Sequence, residues 1–201
     1  VTGQLGAGKG GAWVSDKIPF AYDYGDGDAD VLGSDDGGRE TWGAYTEGTH
    51  AAALAAANGS VFKGAAPGAQ LIVAKATQDG ADTATDSALL AALDDAAVLA
   101  PDVLTVSFAT IEGMSSDSEA LYSQVYQTLN AAGITVNAPA GNDGSGSYAS
   151  DPDNGMIAVP ASYSSTLAVA SVSEQDIMGA VTFGDRRIGY RTITRMNQGD
   201  A

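Results

Sequence analysis

The chain has 201 residues, enough for one domain with a sizeable core. Its 25 acidic and 9 basic residues give a formal net charge of -16, which sets most of the surface against polyanionic partners such as nucleic acid. The absence of cysteine excludes disulfides and a thiol nucleophile, and no apolar run is long enough to span a membrane.

Residues 1–12 are Gly-rich and without periodicity, and 1–13 is expected to be a flexible terminus. The start lacks the apolar core of a signal peptide, and the first residue is Val1 rather than Met, as in a processed product, a cloned piece or an internal fragment. Gly3-x-x-x-x-Gly8-Lys9 nearly spells a phosphate-binding loop, but Gly10 stands where Ser or Thr should reach the metal. A nucleotide-binding domain is therefore the weakest reading; it requires ATP-dependent thermal stabilisation, and none is expected.

Residues 14–24 read as an extended segment. Behind them Asp26-Gly27-Asp28-Ala29-Asp30 and Asp35-Asp36 offer carboxylates of the kind calcium takes. The EF-hand spacing fails, because Gly37 stands where the twelfth-position Glu belongs. A solvated acidic loop is the preferred reading, so no cofactor is expected and calcium is without support.

A helix is expected over 46–58, with Thr46 as N-cap, Asn58-Gly59 as stop and alanines for close packing on a sheet. Asn58-Gly59-Ser60 matches a glycosylation sequon, but a helix-ending turn explains it. The apolar run 71–74 is expected to be a strand buried on both faces. A helix follows over 83–99, a strand at 103–108, and a helix over 118–132 with Leu121, Val125 and Leu129 at i, i+4, i+8. Strands are expected at 134–138 and 167–172, with a shorter one at 156–159. Strands alternating with helices predict an α/β fold with a parallel sheet covered on both faces. After residue 173 the chain becomes locally basic, with Arg186, Arg187, Arg191 and Arg195. This reads as the edge of a further segment rather than a nucleic-acid arm.

Four stretches carry the chemistry. Glu47-Gly48-Thr49-His50 opens the alanine helix, and Gly64-Ala65-Ala66-Pro67-Gly68-Ala69 follows it. The third stretch is the strand ending in Ser107-Phe108-Ala109. The fourth, Ala138-Pro139-Ala140-Gly141-Asn142-Asp143-Gly144, leaves a buried strand. An Asn in a Gly-rich turn at a strand's carboxyl end can aim its amide at a developing oxyanion, though Asn-Asp-Gly is also an ordinary turn. An exposed strand edge can take up an extended peptide through main-chain hydrogen bonds.

In this order the four stretches resemble the subtilisin-like serine proteases, over roughly residues 14–172. The resemblance is closest to the large cell-envelope enzymes of the C5a-peptidase type, which also carry an Asp-Tyr pair like Asp23-Tyr24. It implies a three-layer fold, a parallel sheet with helices on both faces, here incomplete. It implies a peptidase domain over 14–173, with 174–201 starting an inserted segment of the protease-associated-domain kind. By the resemblance Asn142 is the oxyanion donor. Ser107, Phe108 and Ala109 line one wall of the primary pocket, and Ala138, Pro139 and Ala140 the other. The family usually has Gly where Ala109 stands. The implied partner is a peptide or protein substrate, and the implied location is secreted or cell-envelope.

Where the family places its catalytic histidine this chain has Glu47. The Asp-Thr-Gly or Asp-Ser-Gly setting of the triad aspartate does not occur before it, nor the Gly-Thr-Ser-Met setting of the nucleophile after it. His50 lies three residues on, one turn up the helix and off-axis, too far for a proton transfer over about 3 Å. The sedolisins use Glu at this place, but with an Asp where this chain has Ala51 and an oxyanion Asp where it has Asn142. The expectation is a serine-endopeptidase segment, inactive as given; a peptide-binding pseudo-protease is the alternative. The family's missing early strand would also leave an unpaired sheet edge, so association of the chain is expected.

Overall fold

The computed structural model describes residues 2–32, 47–81, 83–109, 117–141, 157–170, 177–183 and 186–192. Parallel strands alternate with helices, in two compact units, Val1–Asp102 and Val103–Ala201.

The first unit holds β1 (Phe20–Asp23), α1 (Glu47–Ala56), β2 (Ile72–Lys75) and α2 (Asp86–Leu99). β1 and β2 pair in parallel, with Phe20 opposite Ile72 and Asp23 opposite Lys75. All four residues of β1 are buried, whereas β2 alternates between exposed and half-buried positions. The apolar run at 71–74 is thus only half covered, and the fully buried strand is the less apolar β1. An apolar run sets a strand's tendency to be buried, but the elements packed against it decide the outcome. Ahead of β1, Thr2–Gln4 and Ala7–Gly10 form two short 3-10 turns with Leu5 buried between them.

α2 begins at Asp86, later than periodicity suggests, because Thr85 caps it: its side chain accepts from the Ala88 N–H at 3.2 Å. Its end is set by Ala100 in a left-handed conformation (φ 48°), followed by Pro101.

α1 is held at its end. The Gly64 N–H donates to Ala57 O, Ala65 N–H to Leu54 O and Ala66 N–H to Ala55 O, at 2.8–2.9 Å. The turn after the helix therefore satisfies carbonyls that a helix end otherwise leaves open. Only glycine fits at 64, since a Cβ there would lie 2.6 Å from both Ala53 O and Ala56 N. Gly64→Ala is expected to cost about 1–3 kcal/mol by overpacking, read from a urea melt of the whole chain. Lys17 ties the same turn to the segment before β1, its Nζ donating to Pro67 O at 2.8 Å and also to Ala69 O. Close packing of the alanines is confined to the last turn: Ala56 is buried, Ala51 to Ala53 are half-buried and Leu54 is exposed.

The second unit holds β3 (Val103–Thr105), α3 (Asp117–Ala131), β4 (Thr135–Pro139) and β5 (Leu167–Val169), with β3, β4 and β5 side by side in parallel. Asn137 on the middle strand pairs with Thr105 on one side and Leu167 on the other. Tyr126 and Leu129 of α3 pack into a core with Ile134, Val136, Ala138 and Ala158. Gly133, at φ 89°, turns the chain from α3 into β4, and the Ile134 N–H returns to Leu129 O. Residues 157–159 form no strand of the sheet. Beyond β5, β6 (Ile177–Phe183) and β7 (Arg186–Thr192) pair antiparallel. Among the described residues no helix is long and apolar enough to cross a membrane.

Candidate functional site

Glu47 is the first residue of α1, and His50 lies exposed one turn on. Their unit is the first; the six expected groove residues belong to the second.

Those six are brought together by the pairing of β3 with β4. The ladder runs one step past β3, with the Val106 N–H donating to Asn137 O at 3.0 Å. Ser107, Phe108 and Ala109 follow directly, with Ser107 and Ala109 exposed and Phe108 half-buried. On the neighbouring strand Ala138 is buried, Pro139 half-buried and Ala140 buried. Both triplets thus leave the carboxyl ends of adjacent parallel strands, where open α/β sheets place their ligands.

The chain then turns at Ala140-Gly141. The Ala140 N–H donates to Val169 O, and Ala140 O accepts from the Ala158 N–H, both at 2.9 Å. Gly141 sits at φ 96°, and a Cβ there would meet Ala158 Cβ at 2.9 Å, so the turn needs glycine twice over. Asn142 lies outside the described residues.

The acidic loop resolves differently from the sequence pattern. Asp28 and Asp30 spend their carboxylates on local turns, accepting from the Asp30 and Leu32 N–H groups at 2.9 and 3.0 Å. Asp26 instead joins Asp23 and Asp79, with carboxylate oxygens all within 4.8 Å of one another. Lys75 Nζ bonds all three: Asp23 closely, Asp79 at 2.9 Å and Asp26 at 3.4 Å. These are the residues that could hold a metal, but an ammonium of the chain itself already lies among them. Asp23 is buried, and it also accepts from the Gly25 and Asp26 N–H groups at 2.7 and 3.1 Å. Burial works against the charge of Lys75; the hydrogen bonds and charges of Asp23 and Asp79 prevail and hold its pKa above the ordinary lysine value. Lys75 and Asp79 are absent from the sequence reading, and the one local sign was a lysine closing an apolar strand.

A second buried carboxylate, Asp95 on α2, accepts from the Gly6 N–H at 2.5 Å, the Gly8 N–H at 2.6 Å and the Tyr24 hydroxyl at 3.0 Å. Burial, then the Asp95 charge, pushes the Tyr24 hydroxyl above its ordinary range, so it stays a donor.

The family model for the subtilases, peptidase family S8, matches residues 26–196. The chain is 28% identical over 195 residues to the PI-type proteinase of Lactococcus lactis subsp. cremoris, covering 88% of this chain and 10% of that protein. It is 29% identical over 178 residues to a C5a peptidase of Streptococcus pyogenes, covering 81% of this chain and 14% of that protein. A solved S41 psychrophilic protease aligns with a TM-score of 0.45 at 25% identity, over 60% of this chain and 38% of its own. The chain spans about a tenth to a seventh of the length of these two named relatives. With a family match across most of its residues, it belongs to the subtilase family.

Proposed function

We propose that this chain carries the peptide groove of a subtilisin-like serine endopeptidase and hydrolyses no peptide bond by itself. The reading is carried by the residue at the head of α1, Glu47, which by the family resemblance takes the place of the general base. A carboxylate is intrinsically a far weaker base than an imidazole and so a poor proton acceptor for a serine hydroxyl at neutral pH. The two remaining triad settings do not occur in these 201 residues. The groove walls are Ser107, Phe108 and Ala109 facing Ala138, Pro139 and Ala140, with Asn142 as oxyanion donor. The exposure of Ser107 and Ala109 beside β4 supports the wall assignment. By the same kinship the substrate is a peptide or protein, and the protein is assigned to the secreted or cell-envelope compartment. The segment 174–201 is read as the start of an insertion, a reading supported by the antiparallel pairing of β6 with β7.

Glu47→His is expected to give no hydrolysis of a chromogenic peptide. Measurable turnover by that variant overturns the reading. Titration of a labelled peptide library distinguishes the non-catalytic module: saturable binding without cleavage supports it, and is expected to weaken when Ser107→Pro removes an N–H from the groove wall.

A further inference from the structure

We propose that the segment of residues 2–11 is a strap that Asp95 latches across the aromatic residues of β1. Asp95 is fully buried in the middle of α2. A buried carboxylate is tolerated only when its lone pairs are met by donors. Two of the three donors described for it, the Gly6 and Gly8 N–H groups, come from the strap, and the third is Tyr24. The strap's contact is at backbone range. A Cβ at Gly8 would lie 2.6 Å from Tyr24 Oη and 2.8 Å from Asp95 Oδ2, and one at Gly11 would lie 2.2 Å from the Phe20 ring. Leu5 is buried on the inner side, and Ala12 closes the strap by exchanging two 2.9 Å hydrogen bonds with Ala21.

The parts depend on one another. Lifting the strap takes two donors from a carboxylate with no access to water and uncovers Phe20, Tyr22 and Tyr24, all buried when it is closed. Strap, Asp95 and Tyr24 therefore open as one local unit, ahead of the rest of the chain. Of the stretch that resembles a phosphate loop, Gly8 serves this contact together with Gly6: their amides donate to an anion that the chain supplies.

The test is amide hydrogen exchange on the whole chain, with trypsin cleavage after Lys9 as a second readout. In the wild type, Gly6 and Gly8 are expected to exchange at least about a hundredfold slower than an unstructured peptide. Asp95→Asn, which keeps shape and loses charge, is expected to speed both by tenfold or more and to accelerate cleavage after Lys9, with β3–β5 unchanged. Gly8→Ala attacks the same latch from the strap and should do likewise, which keeps the test open if an Asp95 variant does not fold. In Asp95→Ala, formate is expected to restore protection where chloride at equal ionic strength does not. Unprotected Gly6 and Gly8 in the wild type overturn the proposal. So does equal exchange in wild type, Asp95→Asn and Gly8→Ala, or rescue by chloride as well as by formate.

Discussion

Lys75→Met is expected to destabilise the first unit by about 3–5 kcal/mol, the range found when one partner of a buried ion pair is removed. Methionine has nearly the length of the lysine stem, so lost packing contributes little. The cost comes from Asp23, whose side chain is 1% exposed and would keep two backbone donors but lose its cation. Asp26 and Asp79 would then face Asp23 across less than 5 Å with no positive charge between them. Asp79→Asn serves as the contrast: that carboxylate is 47% exposed, so its loss should cost under about 1 kcal/mol. Urea denaturation measures both, and a fall in midpoint at unchanged slope identifies a loss of stability. Because the ammonium already holds the three carboxylates, millimolar calcium is expected to leave the wild-type melting temperature where it is. A calcium-dependent rise of several degrees would show that the metal displaces Lys75.

A steep loss of stability above about pH 10 is the second large effect. Burial, with the charge of Asp95 next, raises the pKa of Tyr24; burial, then Tyr163, raises that of Tyr126; Asp23 and Asp79 raise that of Lys75 against the opposing effect of burial. In the unfolded chain all three return to ordinary values near 10. Below that pH both states hold the same protons, and these groups add no pH dependence. Above it the unfolded chain releases protons that the folded chain keeps, so stability falls as pH rises toward the folded values. Each group contributes up to roughly 1.4 kcal/mol per pH unit. Thermal melts between pH 8 and pH 11 should be level at first and then fall. The decline should be shallower in Tyr126→Phe, which carries no phenolic proton.

The parts of this fold that were legible in the sequence are those governed by local rules. Strand and helix order followed from apolar runs and periodicity, whereas the helix limits are set by contacts that periodicity does not see: Thr85 caps α2 so that it begins three residues inside the expected start at 83, and Gly133 ends α3 through a left-handed turn. Periodicity placed α3 and found part of its face, since Leu129 of the expected stripe is buried and Val125 half-buried. Leu121 of the expected stripe is 54% exposed, and the buried pair is Tyr126 and Leu129, since the neighbouring strand decides which side is covered. The pairing of Asp23 with Lys75 requires the β1–β2 register, and the bond from Gly6 to Asp95 joins residues 89 apart. No local pattern encodes either. The acidic loop shows both cases: the turns at Asp28 and Asp30 are local, while Asp26 is recruited by Asp79 from beyond β2. The four family motifs were readable because each is a contiguous string; what they enclose depends on strands that meet only after folding.

Among the described residues, the contacts that hold α1 gather at its carboxyl-terminal end. Its root is clamped by three backbone bonds from residues 64–66 and, through Lys17, by the segment before β1. At the tip Gly48, Thr49 and His50 are open to solvent, Ala51 to Ala53 are half-buried, and nearer the root Leu54 and Ala55 are exposed while Ala56 is buried. Proton transfer tolerates about half an ångström of misplacement. Any side chain at position 47, glutamate or histidine, is therefore aimed only as well as whatever braces the tip. Restoring chemistry here is a problem of stiffness as well as of basicity and of the two triad settings that do not occur in these residues.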